Sequence, residues 1–171
     1  MRTLIFLLLT CTTSTLFAGG TYQTADAFLS NAFQNKTPPP STVWINKEKK
    51  AVIEKILQHS SHLIRVRYWK KEQTTAWILN EVGKEKPITV GVIINDNKIQ
   101  QLKVLAFRES RGWEVKHDFF TRQFKLASLD KESNEQQLNT SIDGISGATL
   151  SVRALKKIAR IALYLENEIH H

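Results

Sequence analysis

Residues 88–94 (I-T-V-G-V-I-I) constrain the fold most. They are almost wholly apolar and are closed off by turn residues on both sides, Gly83 to Pro87 before them and Asp96-Asn97 after them. A run this short, rich in β-branched side chains and bounded by turns, reads as a strand rather than a helix, and apolar residues on both alternating faces mark a strand buried on both sides. The neighbouring runs supply its partners. Residues 63–69 alternate Ile64, Val66 and Tyr68 against Arg65 and Arg67, residues 74–79 are rich in β-formers, and residues 99–107 follow the Asp-Asn turn. The expected class is α+β: an antiparallel sheet of about four or more strands with packed helices, a helix or two lying on one face.

Helical periodicity appears on either side of this sheet. Residues 24–33 carry Phe28, Leu29 and Phe33 on one side behind a Thr24 cap, and Asn46 offers a cap to residues 47–59, with Ala51, Val52, Ile56 and Leu57 in a stripe. Between them Thr37-Pro38-Pro39-Pro40-Ser41 reads as a stiff connector. Residues 118–124 read as a short capped helix with Phe120 and Phe124 on one side, and residues 126–140 as a polar, exposed excursion. A C-terminal helix follows Thr149. Leu150, Ala154, Leu155, Ile158, Ala162 and Leu165 recur at three- and four-residue steps, with Arg153, Lys156, Lys157 and Arg160 turned away from the core.

The N-terminus narrows the function classes. Arg2, the apolar run 3–9 and the small and polar residues up to Ala18 read as a secretory signal with cleavage expected after Ala18, an uncleaved signal acting as anchor being the alternative; the run is too short to span a bilayer. The only cysteine, Cys11, lies inside that segment. The mature chain therefore has no disulfide, thiolate metal site, iron–sulfur ligation or cysteine nucleophile, and its core must hold it. The full chain carries a formal charge of +8, and removal of segment 1–18, whose one charged residue is Arg2, leaves +7. That charge suits an anionic membrane surface in peripheral contact, an acidic partner or a phosphorylated ligand, while the scatter of Lys and Arg argues against nucleic acid. Phosphate-loop and dinucleotide fingerprints are absent, and His59, His62 and His117 have no third ligand or nucleophile at useful spacing.

Two loops remain to carry chemistry. Residues 108–114 (R-E-S-R-G-W-E) are charged and hold one glycine and one large aromatic. Residues 143–149 (D-G-I-S-G-A-T) run into the C-terminal helix, so that small Gly147 and Ala148 leave a bulky group free to approach both the Thr149 hydroxyl and the first free N–H groups of the helix. Taken alone this is a place for a phosphate, or an Asp-Gly turn followed by a Ser or Thr helix cap.

Asp143-Gly144-Ile145-Ser146-Gly147-Ala148-Thr149 resembles the Asp-x-x-Ser/Thr-Gly-Ala-Ser/Thr motif of the FMN-binding domain family, which includes the FMN-carrying subunits of the sodium-pumping NADH:quinone reductase and the Rnf complexes. Glu109-Ser110-Arg111-Gly112 is similar to that family's Glu-Thr-Pro-Gly loop against the flavin, and Gln123-Phe124 to its Gln-Phe pair. Arg111 replaces Pro, Trp113 and Glu114 replace Leu-Gly, and Leu126 falls near an expected Gly. The likeness runs from about residue 76 to residue 162, and in its loop residues the chain resembles the compact, stand-alone exported branch.

The resemblance implies covalent FMN, joined by a phosphoester to Thr149 and installed by an ApbE-type flavin transferase that uses FAD and a divalent metal. It implies cofactor-binding roles for Thr149, Ala148, Gly147, Ser146, Asp143, Glu109, Ser110, Gly112 and Trp113. Arg153, one turn into the helix, is placed to add a charge-assisted bond to the phosphate. The expected organisation is a signal peptide over 1–18, a helical segment over 19–62 and the FMN-binding domain over 63–171. The expected function is an exported, periplasmic electron carrier between membrane or haem redox partners, rather than a complete enzyme. A small exported flavin reductase and a non-redox phosphate-ligand module are the alternatives.

Overall fold

The computed structural model describes residues 20–133 and 135–170. The signal expected over 1–18 lies outside the described residues. In chain order the elements are β1 (Gly20–Thr21), α1 (Ala25–Ala32), β2 (Pro40–Trp44), α2 (Lys47–Leu57), β3 (Arg65–Lys71), β4 (Thr74–Val82), β5 (Pro87–Asn95), β6 (Lys98–Phe107), α3 (Asp118–Thr121) and α4 (Thr149–Glu168). Short 3-10 turns occupy Trp113–Lys116 and Arg122–Phe124. All strands form one antiparallel sheet in the order β1-β6-β5-β4-β3-β2, so the class is α+β as expected.

The apolar run that defined the fold is β5, paired with β4 along its whole length and with β6 on its other side. Ile88, Val90, Val92 and Ile94 are fully buried in the main core, with Leu155, Ile158, Ala162 and Leu165 of α4. Each such buried aliphatic side chain contributes about 1.5–3 kcal/mol. Helix α4 lies across β4, β5 and β6, and α2 packs beside it. Ala154, Ala159 and Ala162, all buried, keep its axis close to the sheet.

The opposite face is not bare, contrary to the expectation that helices cover one face. Helix α1 closes it with Phe28, Leu29 and Phe33 against Ala76 and Leu105. Gly91 makes this possible: a β-carbon there would lie 2.5 Å from the Phe28 ring.

The caps at Thr24 and Asn46 form as read, each side chain accepting from the N–H three residues on. Other details differ. Segment 19–62, read as helical, also supplies β1 and β2 to the sheet. The triple-proline connector runs straight into β2, with Pro40 as first residue of an edge strand, where a missing N–H costs least. Residues 118–124 split into α3 and a 3-10 turn without a side-chain cap, and Phe120 and Phe124 meet edge-to-face in the core. The segment 126–140 is only partly exposed: Leu129 pairs with Leu138, and Arg160 of α4 holds the carbonyls of Glu135 and Gln136.

Two buried carboxylates pin α4 to the sheet. Glu81 on β4 meets Lys157 and His59, each at 3.1 Å. Glu166 accepts from Thr75 Oγ1 at 2.5 Å and Trp77 Nε1 at 3.0 Å, with His170 at 3.0 Å. Among the described residues no helix is long and apolar enough to cross a membrane.

Candidate functional site

The site forms where the end of β6 and the start of α4 converge. Beyond Phe107 the chain is turned by Arg108, whose Nη1 donates to the Pro87 carbonyl at 3.0 Å and to Thr89 Oγ1 at 2.9 Å. Glu109 is then buried, and its Oε1 accepts the backbone N–H groups of Lys84, Glu85 and Lys86 at 2.5, 2.7 and 2.9 Å. Burial alone would raise its pKa, but these three donors and the Lys84 charge outweigh it and hold the carboxyl below its ordinary value. Glu109 thereby clamps the β4–β5 turn and fixes the departure of the loop. Its structural part here is support.

Ser110 and Arg111 are exposed, and Gly112 takes a left-handed φ of 82°. A β-carbon on Gly112 would lie 2.5 Å from Ser151 Oγ and 3.4 Å from the Ala148 α-carbon. The two loops singled out in sequence therefore touch through Gly112 on one side and Ala148 and Ser151 on the other. Ala148 is buried at this contact, so its small side chain serves packing between the loops. Trp113 is half-buried. Its ring stands edge-on to His117 at 5.4 Å, and Lys116 Nζ lies 5.0 Å from its centroid.

The loop before α4 is held at several points. Ile142 and Ala148 are buried, Ile145 packs on the core, and the Ala148 N–H donates to the Ile145 carbonyl at 3.0 Å. Gln123 Oε1 accepts the Asp143 N–H at 2.8 Å. Between these anchors Asp143, Gly144, Ser146 and Gly147 stand exposed. Gly147 has φ 80°, and a β-carbon there would meet nothing within 4 Å. Its requirement is conformational, and the space beside it is open.

Helix α4 begins at Thr149, with Ala148 in the cap position and no side-chain cap bond. The first N–H to find an intrahelical acceptor is that of Val152, which donates to the Ala148 carbonyl at 2.9 Å. The N–H groups of Thr149, Leu150 and Ser151 precede it and have no helical acceptor one turn back. Thr149 is exposed beside them, Leu150 is 44% exposed, and Arg153 is exposed one turn on without an ion pair among the described residues. An exposed threonine, three N–H donors with no helical acceptor at the positive end of a 20-residue helix and open space at Gly147 make a place that suits an anionic group such as a phosphate.

Gly112 thus meets Ala148 directly, with Gly147 and Thr149 on either side of Ala148 in the chain, while Ser110 and Arg153 stand exposed and Trp113 is half-buried. One contributor was missed: Ser151, read as part of the helix, is the surface against which Gly112 packs. Gln123, noted in sequence only as half of the Gln-Phe pair, holds the Asp143 loop across twenty residues of sequence, a reach that spacing does not reveal.

Residues 83–164 match the family model of the FMN-binding domain. The match opens at the turn clamped by Glu109 and closes inside α4, so it encloses both loops. No curated protein and no solved structure matches the chain.

Proposed function

We propose, on the premise that the chain belongs to the FMN-binding domain family through residues 83–164, that this protein is an exported electron carrier with one FMN attached through its phosphate to Thr149. The observation that carries the reading is the exposed Thr149 hydroxyl at the uncapped start of α4, directly beside the contact between the Gly112 loop and Ala148. The threonine oxygen forms the bond to phosphorus and loses its proton, and AMP leaves when FAD is the donor. The free N–H groups of the first turn and Arg153, in no ion pair among the described residues, then face the phosphodiester charge.

Asp143, Gly144, Ser146 and Gly147 are exposed around that hydroxyl, which supports access by a flavin transferase of the ApbE type. The same openness favours a carrier over an enclosed enzyme, because the attached group would stand where another protein can reach it. When bound, FMN exchanges one or two electrons and so connects hydride or quinone donors to one-electron acceptors such as haem. Trp113 and Leu150 supply apolar surface next to the attachment point, and Arg111 and Arg153 supply charge for an acidic redox partner or an anionic membrane. A tether suits a protein carried out of the cytoplasm by the segment 1–18, since it keeps the cofactor local whatever the free FMN level.

The test is co-expression with a flavin transferase in the exported compartment, followed by the visible spectrum of the denatured protein. Yellow colour that survives denaturation, and is lost in Thr149→Ala, supports the reading. A colourless product from the unaltered chain, or colour retained by Thr149→Ala, overturns it.

A further inference from the structure

Pairing of β3 with β4 stops at Tyr68 and Trp77. Continued in register it would set Arg67 opposite Ile78, Val66 opposite Leu79 and Arg65 opposite Asn80. Instead β3 stays with β2 over these residues, and β4 stays with β5. The sheet opens into a wedge, and the residues that lose their partners line a cavity of about 330 Å³. Main-chain N–H and C=O groups pointing into the wedge have no strand to bind, so polar atoms of an occupant or water must meet them.

Apart from Asn80, whose Oδ1 accepts from Thr89 Oγ1, and two arginines, the side chains lining the wedge are apolar. Leu57 of α2 and Ile158 and Ile161 of α4 close its inner side. The opposite side is different: Arg65 and Arg67 lie on the same face of β3, both exposed and neither in an ion pair among the described residues. Arg65 leans instead over the ring of Trp44, 6.0 Å away. Leu63 and Ile64 extend the apolar surface at the rim, 37% and 71% exposed. An apolar slot of this size falls within the range of about 300–1,000 Å³ typical of small-molecule sites, and two guanidinium groups at its mouth select the sign of the head group.

We infer that the wedge between β3 and β4 binds a single-chain carboxylate amphiphile, its hydrocarbon chain among Leu57, Leu79, Ile158 and Ile161 and its carboxylate at Arg65 and Arg67. The site is separate from Thr149, because Ile158 and Ile161 lie about 14–18 Å further along α4 at its usual rise per residue. Binding therefore does not depend on a flavin and is measured on the unmodified protein.

The experiment is calorimetric titration of the purified chain with sodium decanoate, below its micelle concentration, and with 1-decanol. The expected result is saturable decanoate binding at one site per chain, with decanol at least tenfold weaker. In Arg65→Ala/Arg67→Ala, both exposed positions, the preference for decanoate disappears. In Ile161→Trp, which fills the slot, both ligands lose binding. A brominated decanoate should quench tryptophan fluorescence in the native chain and quench it less in Trp69→Phe, because Trp69 lines the wedge. Absence of saturable decanoate binding, equal affinity for the alcohol, or an unchanged preference in the double arginine variant overturns the proposal.

Discussion

Gly112 and Ser151 are in such close contact that any side chain at the glycine would collide with the serine hydroxyl, since an added β-carbon would lie 2.5 Å from Ser151 Oγ. This contact joins the loop after β6 to the first turn of α4 and sets where Thr149 stands.

Gly112→Ala should lower stability by about 1–3 kcal/mol, because it combines left-handed strain with the collision. Ser151→Ala in the same chain removes the oxygen and should restore part of the loss. The check is a double-mutant cycle from denaturant unfolding. Strictly additive effects would mean that the two residues do not touch.

Gly147→Ala separates conformation from contact. Its φ is also left-handed at 80°, but nothing lies within 4 Å of an added β-carbon. The expected cost is about 1–2 kcal/mol from backbone strain alone, with no coupling to Ser151. Thermal or denaturant unfolding of single and double variants reads both effects.

Glu109 predicts a pH dependence. Its pKa is lowered on folding, so the stability it contributes is present above its unfolded value, ordinarily 4.5, and is lost as pH falls through the lower folded value. Glu109→Gln should therefore flatten the acid limb of the stability profile below about pH 4.5. Glu109→Ala should cost about 1–3 kcal/mol at neutral pH by removing the acceptor shared by Lys84, Glu85 and Lys86.

Leu126 offers a gain. It holds a left-handed φ of 65° while 57% exposed, near the place where the resembling family has glycine. Leu126→Gly trades about 1–2 kcal/mol of strain for a smaller entropic cost, so stability should rise by about 0.5–1 kcal/mol. A rise in unfolding midpoint checks it.

The sheet and the first two helices were legible because their signals are local: an apolar run between turns at β5, an Asp-Asn turn with both residues at positive φ before β6, and the helix caps at Thr24 and Asn46. Strand β2 was hidden because prolines suppress strand propensity, and only its edge position makes Pro40 tolerable. Helix α1 was visible, but the face it covers depends on Gly91 admitting the Phe28 ring across the sheet. At the site the residue types were readable as two loops. Their division of labour was not, since Glu109 turns inward to the 84–86 backbone, Ala148 fills a contact, and Gln123 reaches across to Asp143. Long-range packing decides these roles.

Attachment at Thr149 is the central claim, and tandem mass spectrometry of the tryptic peptide 132–153 tests it most directly, using protein co-expressed with an ApbE-type flavin transferase. That peptide also holds Ser133, Thr140, Ser141, Ser146 and Ser151 as competing hydroxyls. The predicted result is the mass of one FMN less water, with fragment ions placing it on Thr149 and an unmodified peptide from Thr149→Ala. An unmodified native peptide, or FMN on any of the other hydroxyls, would contradict the account.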